Sequence, residues 1–220
     1  MDQKSDITII IPVYRGASSV TQVLHGILKT IDAVGLSGEV IFIDDASPDN
    51  AWEVLQELHR QHPDRVKIIQ LMRNFGQHNA IMCGLRHAQG DIIVTMDDDG
   101  QHPPEEIPRL LEALKATAAD VVYGVPKARN HAWWRNLGSF LVVKFFQAAL
   151  NTKVVPSAFR AMRREIVEAI CRYPYHFTYI DGLIVWNTNR IEQVEVEHRP
   201  RLEGRSSYSL TKLVTLALNL

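Results

Sequence analysis

This chain contains little cysteine, and its positive and negative charges nearly cancel. Only Cys83 and Cys171 occur in 220 residues, too few for a disulfide framework, which suits a reducing cytoplasm. The formal net charge is −1, so no global field points to nucleic acid or to a membrane. No run of about 18 apolar residues occurs, so we expect no transmembrane helix within these residues. The first residues, MDQKSD, also lack the basic-then-apolar order of a signal peptide.

Two common phosphate-binding motifs are absent as well. No G-x-G-x-x-G follows the first apolar run, and no G-x-x-x-x-G-K-[ST] occurs anywhere in the chain. A Rossmann dehydrogenase and a P-loop NTPase are therefore disfavoured. The composition that remains, 46% hydrophobic and 22% charged, is that of a globular protein large enough for one sizeable domain.

Apolar β-branched runs alternate with helical patterns through the first half of the chain. Buried strands are predicted at residues 7–11, 40–43, 66–71, 92–96 and 120–123. Amphipathic helices are predicted between them, and Ser47 is expected to cap the second helix with Pro48 at its first position. This order predicts an α/β fold with a mostly parallel sheet and helices on both faces.

Polar clusters follow four of the predicted strands. They are Pro12-Val13-Tyr14-Arg15, Asp44-Asp45, Arg73-Asn74-Phe75-Gly76 and Asp97-Asp98-Asp99. Because parallel strands end at one edge of a sheet, these loops should converge there. Three adjacent carboxylates repel one another, and a fold tolerates them where a cation neutralises the charge. A solvated acidic turn is the alternative, but the four-loop context favours a divalent metal held against a diphosphate by Asp97 and Asp99.

Several ordered motifs resemble one known family. IIIPVYRG, IDDASPDN, RNFGQHNA with GLRHAQGD, and MDDDGQHPPE are similar to the signature series of family 2 inverting glycosyltransferases with the GT-A fold. The likeness is closer to the polyprenyl-phosphate sugar transferases, of the dolichol-phosphate mannose synthase type. It implies a single GT-A catalytic domain over residues 1–220, with a nucleotide-sugar-binding half at 6–125 and an acceptor-side half at 126–220.

The resemblance implies roles for the donor-side residues. Those expected to hold a UDP-, GDP- or dTDP-sugar are Pro12, Tyr14, Asp44, Asp45, Arg73, Asp97 and Asp98. For Asp45 a role in capping the following helix stays open, and the side chain of Asp98 is expected to point away from the metal. Asp97, Asp99 and Gln101 would hold Mg²⁺ or Mn²⁺ through oxygen atoms.

The implied reaction is attack of an acceptor phosphate oxygen on the anomeric carbon, with inversion. Some relatives carry an Asp, taken as the base, just before the Phe-Arg that matches Phe159-Arg160. This chain has Ser157-Ala158 there. A phosphate monoester, with its second pKa near ~6, is largely ionised at neutral pH, so its oxygen can attack without a base. Asp181 either supplies a catalytic carboxylate or caps the helix that follows it.

The acceptor phosphate needs cations, and guanidinium groups suit it well. The candidates are Arg201 first, then Arg135, with Arg160 and Arg205 as further ones; a solvated face or a local ion pair is the alternative for each. Residues 133–150 and 208–220 are candidate interfacial helices, with buried packing as the alternative. Relatives continue into transmembrane helices, so we expect a truncated catalytic domain at the cytoplasmic membrane face.

The sequence thus predicts metal-dependent transfer of a sugar from a nucleotide sugar to polyprenyl phosphate, such as undecaprenyl or dolichyl phosphate. Two alternatives stay open. One is a family 2 transferase with a saccharide acceptor, and the other is a non-catalytic nucleotide-sugar-binding module. The predicted partners are the donor, the lipid acceptor and a membrane surface, without nucleic acid, and a homo-oligomer is left open.

Overall fold

The computed structural model describes residues 5–127, 155–175 and 178–200. Seven strands in these ranges form one sheet in the order β3-β2-β1-β4-β6-β5-β7. The strands are β1 (Ile7–Val13), β2 (Gly38–Asp44), β3 (Val66–Gln70), β4 (Ile92–Thr95), β5 (Val121–Pro126), β6 (Arg160–Arg163) and β7 (Ile191–Val196). The helices are α1 (Val20–Ala33), α2 (Ala51–Gln61), α3 (Gln77–His87), α4 (Ile107–Ala116), α5 (Arg164–Cys171) and α6 (Ile180–Asn187).

The first four strands are parallel, as predicted. β1 pairs with β2 and β4, and β2 pairs with β3, all in parallel. β6 runs antiparallel between β4 and β5, and β7 is parallel to β5. The mostly parallel α/β sheet is confirmed, although the sequence analysis missed β6 and β7. Because β6 lies between two strands of the first half, the predicted donor and acceptor halves share one sheet.

Hydrophobic cores lie on both faces of the sheet. Ile9 and Ile11 of β1 pack in the core with α1, α2 and α4, whereas Ile10 between them packs in the core with α3, α5 and α6. This alternation follows from the two-residue period of a strand. All three side chains have no exposed surface, and each fully buried isoleucine contributes about 1.5–3 kcal/mol to stability. The continuous apolar run is therefore explained by burial on both sides.

The start of the second helix differs from its prediction. Helix α2 begins at Ala51 with Asn50 at the N-cap position, so the expectation that Ser47 caps it is wrong. The Ser47 hydroxyl instead accepts a hydrogen bond from the Arg15 N–H at 3.1 Å. A serine can satisfy a neighbouring loop as readily as a helix terminus, and here it joins the β1–α1 loop to the β2–α2 loop.

A buried polar network holds the amino-terminal edge of the sheet. The Thr8 hydroxyl donates to Glu39 Oε1 at 2.6 Å and accepts from the Gly90 N–H at 2.8 Å. Lys67 Nζ lies 2.7 Å from Glu39 Oε2 and balances its charge. Gly90 packs so tightly against β1 that a Cβ there would lie 2.4 Å from the Thr8 nitrogen. This edge is therefore built for stability, and the polar loops of interest lie at the opposite edge.

The lengths and hydropathy of the described helices can be compared with those of a membrane-spanning helix. None of them is both long enough and apolar enough to cross a bilayer. The two candidate interfacial segments, 133–150 and 208–220, lie outside the described residues. Their placement at a membrane stays a prediction.

Candidate active site

The loops that follow β1 and β2 are tied together at the carboxyl edge of the sheet. Besides the bond from Arg15 to Ser47, the Ala17 N–H donates to Asp49 Oδ2 at 3.2 Å. Arg15 and Ala46 have φ of 63° and 53°, left-handed values that are uncommon outside glycine. Such residues cost of order 1–3 kcal/mol each and cluster at functional sites. This edge therefore carries a backbone conformation that the surrounding contacts must hold.

Asp45 links the second loop to the third. Its Oδ1 accepts from the Phe75 N–H at 2.7 Å and its Oδ2 from the Gly76 N–H at 2.8 Å. The side chain thus holds the start of α3. Helix α2, which follows Asp45 in the chain, begins at Ala51 with Asn50 at the N-cap position, so the alternative that Asp45 caps it is wrong. Glycine suits position 76, since φ there is 89°. A nucleotide contact by Asp45 stays a prediction.

Asp44 is fully buried at the end of β2. Its Oδ1 accepts from the Ser47 N–H and its Oδ2 from Gln70 Nε2, both at 3.1 Å. Pro12 is buried at the end of β1 beside it. Tyr14 is 39% exposed, with the Arg15 guanidinium carbon 5.4 Å from its ring centre. The aromatic face of Tyr14 is accordingly the more accessible of these predicted nucleotide contacts.

Arg73 lies in the third loop and is exposed. Its guanidinium carbon is 4.7 Å from the centre of the Phe75 ring, within the range of a cation–π contact. Since Asp45 fixes the Phe75 backbone, the ring offers Arg73 a defined support near the edge where the loops meet. A contact of Arg73 with a diphosphate stays a prediction.

The acidic loop after β4 completes the edge. Gln77 Nε2, in the first turn of α3, donates to Asp97 Oδ1 at 2.6 Å. Asp99 Oδ1 accepts from the Gln101 N–H at 2.9 Å, which fixes the turn that carries both residues. The Gln101 carbonyl in turn accepts from the Arg199 N–H at 2.9 Å. The predicted metal ligands therefore lie on one ordered turn, bonded to α3 on one side and to the segment after β7 on the other.

The side chain of Asp98 points towards the β1–α1 loop, and its contact with the donor stays a prediction. Its Oδ2 is buried with no hydrogen-bond partner among the described residues. A Cβ on Gly16 would lie 2.2 Å from that atom, so only glycine leaves room for the carboxylate against the β1–α1 loop. Burial, followed by the charges of Asp97 and Asp99, raises the pKa of Asp98 to about 7. The fourth loop thereby packs against the first, and the contacts among the four loops form a closed ring.

The oxygen atoms of the acidic loop suit a divalent cation that is also bound by a substrate. Among residues 5–127, 155–175 and 178–200, no group of three or more His, Cys, Asp or Glu side chains could hold a metal ion alone. Asp97, Asp99 and Gln101 nevertheless bring side-chain oxygen atoms to one turn. Mg²⁺ sites of this kind use one or two carboxylates and complete the coordination with substrate phosphates. The residues fit such a site better than a permanent structural metal site.

His102 fills the turn after the acidic loop. Its ring stacks on Phe159 at 5.2 Å and meets the His198 ring edge-on at 5.4 Å. Burial, with the nearby His198, lowers the pKa of His102 to about 4, so the ring is neutral near pH 7. Its Nδ1 is buried and has no hydrogen-bond partner within the described part of the chain. These contacts show that His102 fills the turn by packing.

Arg160 and Asp181 form a buried ion pair under the acceptor side of the edge. Arg160 is 1% exposed, and its Nη1 donates to Asp181 Oδ1. Its Nε donates to Thr95 Oγ1 at 3.0 Å, and the Tyr123 hydroxyl donates to Asp181 Oδ1 at 2.8 Å. Burial and the Asp181 charge raise the pKa of Tyr123 well above its usual value, so the phenol stays protonated. This geometry favours a positioning role for Arg160 over a direct grip on the acceptor phosphate.

The helix-capping alternative for Asp181 is wrong. Helix α6 begins at Ile180 with Tyr179 at the N-cap position, so Asp181 lies inside the first turn. Its carboxylate is engaged by Arg160 and Tyr123, as described. A catalytic role for Asp181 stays a prediction. The other predicted phosphate ligands, Arg135, Arg201 and Arg205, lie outside the described residues.

Sequence reasoning missed Gln77, His78 and Tyr123. His78 Nδ1 accepts from the Ile180 N–H at 3.4 Å, and its ring meets the Tyr179 ring edge-on at 5.1 Å. A usable signal was present, because Gln77 and His78 open a helix at the carboxyl edge of the predicted sheet. Tyr123 likewise ends the fifth predicted strand.

Comparisons with known proteins agree with this architecture. The family model for Glycosyl transferase family 2 matches residues 8–171. Two similar curated proteins are undecaprenyl-phosphate 4-deoxy-4-formamido-L-arabinose transferases, from Edwardsiella ictaluri (34% identical) and Proteus mirabilis (35% identical). Each alignment covers 97% of this chain and 66% of the relative.

Solved structures with a similar fold include two enzymes. A mannosyltransferase from Pyrobaculum calidifontis in complex with GDP-Man and Mn²⁺ gives a TM-score of 0.63 at 22% identity, covering 88% of this chain and 55% of that one. Glucosyl-3-phosphoglycerate synthase from Mycobacterium tuberculosis, in complex with Mn²⁺, UDP and phosphoglyceric acid, gives 0.69 at 21% identity, covering 97% and 75%. These likenesses confirm the predicted GT-A fold. The matched family model, together with the relatives, shows that the chain belongs to glycosyl transferase family 2.

Proposed function

We propose that the chain transfers a sugar from a nucleotide sugar to a polyprenyl phosphate, with a divalent metal and with inversion, at the cytoplasmic face of a membrane. The observation that carries the proposal is the ordered acidic turn of Asp97, Asp99 and Gln101 at the edge where four loops meet. Two similar proteins named for undecaprenyl-phosphate sugar transfer support the choice of acceptor. Since the chain spans 66% of those relatives, the activity of the whole protein is part of the proposal.

The donor would bind against the loops after β1, β2 and β4. The exposed ring of Tyr14 would stack on the base, and the Asp44-Asp45 loop would border the nucleoside. Asp97 and Asp99 would hold Mg²⁺ or Mn²⁺ with Gln101. When bound, the metal would neutralise charge that builds on the leaving diphosphate. Arg73 would add a cation beside the phosphates.

The acceptor would approach from the side of Ala158 and Asp181. Thr95 Oγ1 donates to the Ala158 carbonyl at 2.6 Å, so the loop before β6 is attached to the end of β4. This chain has Ser157-Ala158 where some relatives carry an Asp just before the Phe-Arg pair. The acceptor phosphate would already be ionised and would attack the anomeric carbon directly. Arg201, with Arg135 and Arg205, would hold that phosphate in the acceptor-side half, residues 126–220.

Donor use is tested with a panel of UDP-, GDP- and dTDP-sugars, Mn²⁺ or Mg²⁺, and undecaprenyl phosphate. Asp99→Asn should lower transfer by a factor of about 100 or more, because it removes a charged metal ligand. Asp98→Asn should matter less, and Asp64→Asn, an exposed aspartate in the turn before β3, is the matched control. Full turnover in excess EDTA would contradict metal dependence, and transfer to a saccharide in place of the lipid would favour the alternative acceptor.

Membrane docking needs its own measurement. The segment from residue 199 onward carries Arg199, Arg201, Arg205 and Lys212 against a single acidic residue, Glu203. Each cation near an anionic leaflet gains roughly 1 kcal/mol, and this attraction falls off over a Debye length. Co-sedimentation with anionic vesicles should therefore occur at low salt and weaken as salt rises. If neither this chain nor a version extended beyond Leu220 pellets with such vesicles, the lipid-acceptor proposal loses to the saccharide one.

A further inference from the structure

The first turn of α3 contacts three different parts of the site. Its entry is held by Asp45, which accepts from the Phe75 and Gly76 N–H groups. Its first residue, Gln77, bonds to the acidic loop, and its second, His78, bonds to the start of α6. Consecutive residues of one helix thus reach the donor side and the acceptor side of the same edge.

Gln77 restrains one carboxylate of the predicted metal site. The 2.6 Å bond from Gln77 Nε2 to Asp97 Oδ1 is short, as expected for a donor facing an ionised acceptor. A carboxylate on a loop at a strand end can rotate, and this bond selects one orientation. Groups that orient a metal ligand in this way influence metal affinity without touching the metal.

His78 restrains the acceptor side. The first N–H groups of a helix have no partner within the helix, and His78 Nδ1 accepts the one at Ile180. Burial, reinforced by Arg160 and opposed by Asp181, lowers the pKa of His78, so the neutral ring can act as an acceptor. The next residue, Asp181, anchors Arg160, which bonds to Thr95 at the end of β4.

Helix α3 is rigid enough to transmit these positions. Ala80, Ile81 and Leu85 are buried in the core on its face of the sheet. A Cβ at Gly84 would lie 2.6 Å from Ile10 Cγ2, so the helix lies directly against β1. A helix packed at this distance cannot slide without breaking that core.

We propose that Gln77 and His78 are paired positioning residues: Gln77 sets the metal-side carboxylate Asp97, His78 sets the start of α6, and their adjacency on α3 fixes the distance between donor and acceptor groups. The inference deepens the proposed function and rests on it. It assigns each residue a separate readout, metal-dependent donor binding for Gln77 and acceptor use for His78. If the two residues had a purely structural role, substituting either one would impair donor binding and acceptor use together.

The Gln77 arm uses Mn²⁺ with UDP, and in parallel with GDP, as probes. Nucleotide affinity is measured by calorimetry with and without Mn²⁺ for the parent chain and Gln77→Met. The factor by which Mn²⁺ raises nucleotide affinity should be about tenfold smaller in the variant than in the parent. The metal-free affinity and the melting temperature should be unchanged. Gln61→Met is the matched control, since Gln61 Nε2 donates to Glu57 Oε1 at 2.8 Å on the exposed face of α2.

The His78 arm uses steady-state transfer to undecaprenyl phosphate. His78→Phe keeps a ring against Tyr179 and removes the acceptor nitrogen, so it should raise the acceptor KM or lower kcat about tenfold while the donor KM stays constant. His78→Asn places an amide oxygen close to the Nδ1 position and should restore most of the activity. His87→Phe is the control, because the His87 ring lies at the far end of α3, where its Nδ1 is 2.8 Å from the Cys83 carbonyl of the same helix.

The outcomes separate the two proposals. If the parent chain gains no nucleotide affinity from Mn²⁺, the proposed metal-dependent function fails and the inference fails with it. If the parent gains affinity and Gln77→Met matches it, the inference alone is overturned. The inference is also overturned if Gln77→Met weakens metal-free and metal-enhanced binding equally. It is overturned as well if His78→Asn is as impaired as His78→Phe while its melting temperature is unchanged.

Discussion

Replacing Asp181 by asparagine should destabilise the protein strongly. Arg160 is 1% exposed at its side chain and Asp181 is 10% exposed, so the ion pair is almost free of solvent. The substitution keeps the shape and an acceptor for Tyr123, but it leaves the guanidinium charge of Arg160 buried without a counter-ion. Removing one partner of a buried pair typically costs about 3–5 kcal/mol. That loss is a large part of the stability of an ordinary domain, roughly 5–15 kcal/mol.

The assay is urea unfolding followed by circular dichroism, with the denaturant slope checked for constancy. Arg160→Met combined with Asp181→Asn should be less destabilised than the sum of the two single variants, because the double variant has no unpaired buried charge. The exposed pair between Arg190 and Asp120 provides the control. The side chain of Arg190 is 63% exposed, so Arg190→Met should cost far less stability than Asp181→Asn. A loss below about 1 kcal/mol for Asp181→Asn would refute the assignment of a buried, mutually dependent pair.

Three further results are expected. Gly90→Ala should cost at least about 2 kcal/mol in urea unfolding, because its Cβ would lie 2.4 Å from the Thr8 nitrogen; an unchanged midpoint would contradict that packing. Burial opposes ionisation of Asp120, but the hydrogen bond from Arg190 prevails and lowers its pKa. The ionised carboxylate thus stabilises the fold above the unfolded pKa near ~3.9, and this contribution disappears as pH falls through the folded pKa. Asp120→Asn should flatten the stability profile below about pH 4 by under ~1 kcal/mol, and an identical profile would count against it. Arg201→Ala should raise the acceptor KM about tenfold or more with nucleotide binding intact, and equal activity would remove Arg201 from the site.

The sheet could be predicted where local pattern and burial agree. The run from Ile7 to Ile11 is apolar and β-branched because both faces of β1 are covered. β6 carries the sequence RAMR, which has no β-branched residue and two charged ones. It becomes a strand because it pairs with both β4 and β5, and those pairings depend on residues far away in the chain.

The site could be located from sequence, but the partners of its side chains could not. The sequence places Asp45 at the carboxyl edge and makes Arg160 a candidate phosphate ligand, so both side chains are expected to be available to a ligand. In the fold, Asp45 holds backbone groups at positions 75 and 76, and Arg160 is buried by its pairing with Asp181. An arginine is almost never fully buried unless it is paired, and the pairing follows only from the tertiary arrangement.

The position of β6 has a consequence for synthesis of the chain on the ribosome. The register joins Ile92 of β4 to Arg163 and Val121 of β5 to Met162. Until the later segments emerge, β4 is paired only with β1 and has one open edge, and β5 has no paired strand. Unpaired strand edges in a nascent chain invite association with other chains. We therefore expect that residues 6–125 produced alone would aggregate, and that the nucleotide-binding half cannot serve as a separate module. Evolutionary exchange of the acceptor-side half between relatives would accordingly have to carry β6 along with it.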